Sequence, residues 1–314
     1  MSRSLLSLVV PFYNEEEAIP GFFAQVVPAL EAIAEIDFEI VCVNDGSKDR
    51  TLTLLAEAAE ADDRVLVVDL SRNFGKEAAM SAGLAEAQGH VVVPFDADLQ
   101  DPPEVIAKLV EKWREGYDVV LARRSDRSSD SYLKRQSALG FYRLHNKLAE
   151  VKIPENVGDF RLMTREVVNV LNALPESRRF MKGLFAWVGY RTAEVTYVRH
   201  SRCAGKTKFS GWRLWNFALE GITSFSTLPL RMWTYFGLLV AATSFLYAAY
   251  LVIRTLVHGI EVPGYASIFV SLLFFSGVQM IGIGVIGEYV GRIYIESKRR
   301  PLYVVRRRYG KSQQ

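Results

Sequence analysis

The chain has 314 residues, 50% hydrophobic and 23% charged, a balance that excludes a disordered chain. With 22 glycines and 11 prolines in no short period, it is neither collagen-like nor low-complexity. Two cysteines, Cys42 and Cys203, cannot build a disulfide framework or a four-thiolate zinc site, and a net charge of +3 is too small to point to nucleic acid.

The first half alternates strand and helix. Leu5–Val10 reads as a buried strand. Glu15–Ile36 reads as helix, interrupted at Pro20 and Pro28. Phe38–Val43 is a second strand. Thr51–Ala61 is a helix, with Ser47 or Asp49 near its start as cap. Strands over Val65–Val68, Val91–Phe95 and Val119–Leu121 follow, with helices at Glu77–Gln88 and Pro102–Arg114 between them. This order predicts a mostly parallel α/β sheet covered on both faces, with ligands bound beyond the carboxyl ends of its strands.

Three polar clusters fall at those ends: Pro11 to Glu15, Asn44 to Ser47, and Asp96 to Asp101. In the last, Asp96 and Asp98 stand two apart, with the amide of Gln100 beyond them. Such hard oxygen donors suit Mg²⁺ or Mn²⁺ together with phosphate. An Asp-x-Asp pair alone is also an ordinary solvated turn. Its place at a buried strand end beside Asp45 favours the metal.

The second half is apolar. No charged residue lies between Arg231 and Arg254, or between Glu261 and Glu288. The runs Met232–Ile253 and Ala266–Gly287 are each long enough to span a bilayer, and the short link between them predicts an antiparallel hairpin. Lys and Arg flank the pair on the outside and are absent from the link, which predicts both termini in the cytoplasm. The N-terminus has no signal-peptide pattern. Trp212, Trp215, Leu219, Ile222 and Phe225 recur at helical spacing and predict an interfacial helix before the first span. The expected organisation is a cytoplasmic domain at 1–210, the interfacial helix at 211–228, the hairpin at 229–290 and a basic tail at 291–314. Gly282, Gly284 and Gly287 match a G-x-G-x-x-G pattern, but inside a span, where they serve helix packing and not a dinucleotide.

The segments VVPFYNEE, VNDGSKDRT, SRNFGKEAA, FDADLQDPPE, NVGDFRLM, RRFMKG, AGKTKF and GVIGEYVGRIYIESKRRP occur in this order over nearly the whole chain. In them the chain resembles the polyprenyl-phosphate glycosyltransferases of glycosyltransferase family 2, most of all those that glucosylate bactoprenol for O-antigen modification. The resemblance implies a GT-A fold at a bacterial cytoplasmic membrane. It implies inverting transfer of a hexose from a UDP-sugar to undecaprenyl phosphate, and a homo-oligomer, a tetramer in the family. It places Pro11, Tyr13, Glu15, Asp45, Lys76, Asp96 and Ala97 at the nucleotide, and Asp98, Gln100 and Asp96 at the metal. Asp96, Asp98, Asp159, Arg124, Arg202 and Lys206 fall at catalytic positions, and Lys134 and Arg135 at the acceptor phosphate. For Lys208 and Arg213, attraction to anionic lipid is the favoured reading.

Two rival readings are weaker. A processive polysaccharide synthase would carry a Q-x-x-R-W motif, which none of Gln25, Gln88, Gln100, Gln136 or Gln279 begins. A non-catalytic binding protein has no need of Asp96, Asp98, Gln100 and Arg202 together.

Overall fold

A computed structural model describes residues 3–125, 157–176, 179, 181–198, 228–258 and 264–310. The first strand, β1 (Ser4–Phe12), is buried on both sides, as an interior parallel strand must be. Leu6, Leu8, Val10 and Phe12 face one half of the core, while Val9 faces the other. Helix α1 (Ile19–Glu31) follows, with Ile19, Phe22, Val26 and Leu30 on its buried stripe. Pro20 occupies its first turn, where a missing N–H costs nothing, and Pro28 is carried inside it. Then come β2 (Ile36–Asn44), α2 (Thr51–Ala61), β3 (Val65–Leu70), α3 (Lys76–Glu86), β4 (Val91–Pro94), α4 (Val105–Arg114) and β5 (Val119–Arg124). The cap position of α2 is Arg50, not Ser47 or Asp49, and it makes no side-chain cap bond; Asp49, one residue earlier, accepts the Thr51 N–H (3.0 Å).

Three elements were not legible in the sequence as strands. β6 (Val157–Thr164) runs antiparallel between β4 and β5, and β7 (Thr192–Tyr197) runs parallel to β5 at the edge. Helices α5 (Arg165–Ala173) and α6 (Met181–Trp187) separate them. The eight-stranded order is β7-β5-β6-β4-β1-β2-β3-β8. Its last member, β8 (Val305–Tyr309), lies in the segment expected as a basic tail and pairs antiparallel with β3.

α1, α2 and α4 pack on one face of the sheet, and α3, α5 and α6 on the other. The chain turns opposite ways from β1, to β2 on one side and β4 on the other. A crevice therefore opens at the carboxyl ends of β1, β2 and β4.

Between β7 and β8 stand two long helices, α7 (Leu228–His258) and α8 (Tyr265–Ser297). Among the described residues one stretch, Phe274–Ser297, is long and apolar enough to cross a membrane. The expected first span, Met232–Ile253, lies within α7. G-x-G-x-x-G falls in mid-helix, as expected, and Gly282 admits the Trp233 indole so closely that a Cβ there would collide with the ring. Beside Gly284, Gly287 and Gly291 a Cβ would meet open space among the described residues. The expected interfacial helix lies outside the described residues.

β8 bears on how the first 228 residues stand alone. A chain ending at Leu228 loses β8 and leaves β3 as a bare edge. Its thermal midpoint should fall by about 2–8 °C, the shift for 1–2 kcal/mol in a domain of this size. Fusing residues 303–310 back through a flexible linker should restore most of the loss. Equal midpoints with and without the segment, measured by calorimetry, would contradict this role for β8.

Candidate active site

The end of β1 carries Pro11 and the loop after it Tyr13 and Glu15, and this loop is stapled to the loop after β2. Asn14 donates its N–H to Ser47 Oγ (3.0 Å) and accepts the Lys48 N–H (2.9 Å). The Glu15 N–H reaches Thr51 Oγ1 (2.9 Å). Asn14 adopts φ +52°, a left-handed conformation that asparagine tolerates better than most residues.

Asp45, buried at the end of β2, accepts the N–H of Phe74 (2.7 Å) and of Gly75 (2.9 Å) with its two oxygens. Burial pushes its pKa up; these two bonds and the nearby Arg72 charge oppose the rise without cancelling it. The side chain thus clamps the Ser71–Gly75 loop. Gly46, at φ +63°, lies so close to the backbone of Arg72 and Asn73 that any Cβ would collide with it.

α3 begins at Lys76, whose ammonium contacts Asp96 (2.6 Å) and Asp159 (3.0 Å). Burial pulls its pKa down, but the charges of Asp96 and then Asp159 outweigh it and hold it above the ordinary lysine value. Together these elements wall a cavity of about 450 Å³. Pro11, Tyr13, Glu15, Asp45, Lys76, Asp96, Ala97 and Asp98, all singled out in the sequence, line it together with Phe12, Asn73, Gly75 and Ala79. Asp159 joins through Lys76.

The turn after β4 is strained: Leu99, between Asp98 and Gln100, has φ +52°. The Gln100 N–H reaches Asp98 Oδ1 (3.3 Å). The Gln100 side chain is buried, and its Nε2 has no hydrogen-bond partner among the described residues. Among the described residues no three His, Cys, Asp or Glu side chains gather as an ion cage. Two carboxylates and space for phosphate oxygens still fit a divalent ion. Mg²⁺ in particular is usually held by one or two carboxylates with substrate phosphate.

Behind the wall lies a network the sequence reading missed. Asp101 is buried and accepts the Tyr197 hydroxyl (2.5 Å); Arg124 Nη2 stands 4.0 Å from the same carboxylate, and its Nε donates to the Tyr197 oxygen (3.3 Å). Burial, with the Asp101 charge, pushes the Tyr197 pKa well up. Phe160 stacks edge-on between Phe95 and Tyr197, locking the strand ends together. Arg124 therefore sits on Asp101 and Tyr197 and not on the cavity wall; burial pulls its pKa down, but the Asp101 charge, then Tyr197 and Asp96, outweigh it and raise it.

Arg161 was also missed. Its guanidinium is buried over the Phe185 ring (4.0 Å) and donates to the carbonyls of Gly158 (2.7 Å) and Asp159 (3.3 Å). Burial lowers its pKa to about 10, opposed by the Asp159 charge. It holds the backbone that presents Asp159. The period of two in β6, which puts Asp159 and Arg161 on one face, was the available signal. Arg202, Lys206, Lys134 and Arg135 lie outside the described residues, as do Lys208 and Arg213.

Residues 7–171 match the glycosyl transferase family 2 model, over half the chain. The chain belongs to glycosyltransferase family 2. Its sheet is accordingly GT-A-like and mostly parallel, and it is a glycosyltransferase. Residues 228–293 match the GtrB C-terminal hairpin. The chain is 58% identical to the bactoprenol glucosyl transferase of Shigella phage SfV, over 96% of this chain and 98% of that one. It is 56% identical to the prophage bactoprenol glucosyl transferase homolog of Escherichia coli strain K12, over 96% and 98%. Among solved structures, a mannosyltransferase from Pyrobaculum calidifontis in complex with GDP-Man and Mn²⁺ is similar at a TM-score of 0.49 and 18% identity, covering 94% of this chain and 87% of that one.

The Asp45 clamp is directly testable. Asp45→Asn keeps one acceptor oxygen and turns an N–H donor toward another N–H. Hydrogen bonds to a charged group are worth about 1.5–3 kcal/mol, so the Phe74 and Gly75 amides should exchange with solvent at least about tenfold faster. Unchanged exchange in a folded variant would contradict the clamp.

Proposed function

We propose that the chain transfers glucose from UDP-glucose to undecaprenyl phosphate, with inversion, at the cytoplasmic face of a bacterial membrane. The observation that carries this reading is the cavity at the carboxyl ends of β1, β2 and β4, with Asp96, Asp98 and Lys76 on its wall, in a chain 58% identical to a bactoprenol glucosyl transferase over 96% of its length. In this reading the hairpin anchors the catalytic domain where the acceptor phosphate lies, with both termini cytoplasmic. Lipid-linked glucose then supplies O-antigen or another envelope glycan.

Pro11, Tyr13, Glu15, Asp45 and Ala97 hold the nucleotide. The first turn of α3, which lines the cavity, offers the end of a helix that favours phosphate. Asp98 and Asp96, with Gln100, would hold Mg²⁺ or Mn²⁺. When bound, the ion neutralises charge on the departing diphosphate as a Lewis acid. Lys76 supplies a second positive charge beside Asp96. Arg202 and Lys206 gather the two anionic partners near each other, while Arg124, expected beside them, braces the strand ends through Asp101 and Tyr197; Lys134 and Arg135 receive the acceptor phosphate.

The nucleophile is a phosphate oxygen. A phosphomonoester has its second pKa near ~6, so it is largely ionised at neutral pH and needs no strong base. Asp159 has one oxygen on the Lys76 ammonium and its backbone fixed by Arg161. That arrangement suits orienting the sugar more than removing a proton. Direct attack on the anomeric carbon turns an α-linked donor into a β-linked product.

Transfer of radiolabel from a panel of UDP-sugars to undecaprenyl phosphate in membrane vesicles tests the whole reading. UDP-glucose should be the best donor; preferred transfer from UDP-N-acetylglucosamine or UDP-galactose would reassign the sugar, and no transfer from any would refute the activity. Asp98→Ala and EDTA should each abolish turnover, and full wild-type turnover without divalent ions would remove the metal from the account.

Asp159→Asn separates positioning from base catalysis. Positioning predicts measurable activity with weakened donor use and an unchanged acidic limb near pH ~6. A loss of ~10²–10⁴-fold that recovers steadily between about pH 6 and 8, with donor affinity intact, would make Asp159 the base.

A further inference from the structure

The strand that follows the hairpin does more than close the sheet. β8 pairs with β3 through Val68 with Arg308, Asp69 with Arg307 and Leu70 with Val305. Between the last two pairs the register slips, leaving Arg306 as the extra residue with no partner on β3. A bulge of this kind redirects a side chain, and bulges recur next to active sites.

Arg306 is turned onto the end of β3. Its Nη2 donates to the Ser71 carbonyl (2.6 Å), and its Nη1 lies 3.7 Å from Asp69 Oδ2. The Ser71 N–H in turn donates to the Val304 carbonyl (2.9 Å). Ser71 is thereby held at both its backbone groups by the segment after the hairpin.

Asp69 is 1% exposed, and its Oδ2 has no hydrogen-bond partner among the described residues. Its other oxygen accepts Asn44 Nδ2 (2.8 Å), and the Asn44 oxygen accepts the Ser47 N–H (3.3 Å). Arg306 thus stands under two loops at once. One is Ser71–Gly75, whose Asn73 and Gly75 line the cavity. The other is the loop after β2, which carries Asp45. The two are pressed together at Gly46, where no Cβ fits, so one cannot shift without the other.

We propose that Arg306 is a positioning residue for the donor nucleotide, setting the Ser71–Gly75 wall of the cavity from the strand beyond the hairpin. Six residues, 299–304, separate the Lys298 cap of α8 from β8. The donor wall is therefore tied at short range to the end of the hairpin. The inference rests on the cavity being the donor site.

The test uses the full-length protein in vesicles, with UDP and Mn²⁺ as the binding probe. Arg306→Gln should weaken UDP binding and raise the UDP-glucose KM by about tenfold, the value of one charged hydrogen bond. The acceptor KM, and kcat at saturating donor, should stay within about twofold, and the Ser71–Gly75 amides should exchange faster. Arg306→Lys, which keeps a charge and a donor, should recover most of the UDP affinity. Arg307→Gln, one residue along the strand, should leave both readouts unchanged.

If Arg306→Gln does not fold, the double variant Asp69→Asn/Arg306→Gln removes the unpaired buried charge while the Ser71 bond stays lost. It should fold and show the same donor defect. Wild-type UDP affinity and wild-type exchange in a folded variant would overturn the proposal, as would a rise in acceptor KM alone. If the wild-type protein itself binds no UDP, the donor reading fails on its own. Exchange at Ser71–Gly75 then decides the positioning: faster in the variant supports it, unchanged refutes it.

Discussion

A cavity walled by carboxylates has to be reconciled with any anionic ligand it is to hold. Asp45, Asp96 and Asp98 line it, and Asp159 stands beside it on Lys76. The architecture reduces this charge in two ways. Asp45 is spent on backbone amides of the neighbouring loop, and Asp96 and Asp159 share one ammonium. Asp98 lines the cavity on a turn strained at Leu99 and accepts the Gln100 N–H; on the proposed reading it takes a divalent cation. On the proposed reading, that cation and Lys76 are what let a diphosphate enter. The same demand explains why the site needs several loops held in register, since each charge must face its neutraliser.

That register comes from the sheet. Parallel pairing of β4, β1, β2 and β3 brings three loops to one edge, and buried Leu, Val and Ile side chains on both faces fix the strands. The antiparallel β6 then delivers Asp159 from beyond residue 150 to the same crevice. Aromatic stacking of Phe95, Phe160 and Tyr197 joins β6 and β7 to the end of β4. The last strand arrives from the far side of the hairpin. The sheet thus contains chain from both sides of the apolar segment, and the domain at 1–210 is not the whole of the folded unit.

The parallel core was legible because its strands are short β-branched runs with helices of ordinary length between them. The cavity residues were legible because they follow those strands directly. Three things were hidden. β8 reads as a tail because three of its five residues are arginines, and its partner lies some 235 residues earlier. Tyr197 and Asp101 are 96 residues apart, and a buried hydroxyl–carboxylate pair leaves no periodic trace. Pro28 reads in the sequence as a break in α1, yet near the helix end its missing N–H disturbs one bond and the apolar stripe carries the helix through.

The central claim is that Asp98 and a donor diphosphate share one divalent ion. Electron paramagnetic resonance of Mn²⁺ titrated into the full-length protein addresses it without relying on turnover. The account predicts weak Mn²⁺ binding alone and one tightly bound ion per chain when UDP is present. That UDP-dependent ion should disappear in Asp98→Ala, while uridine, which lacks the diphosphate, should not induce it in the wild type. Tight Mn²⁺ binding that is indifferent to UDP, or that survives the loss of Asp98, would contradict the account.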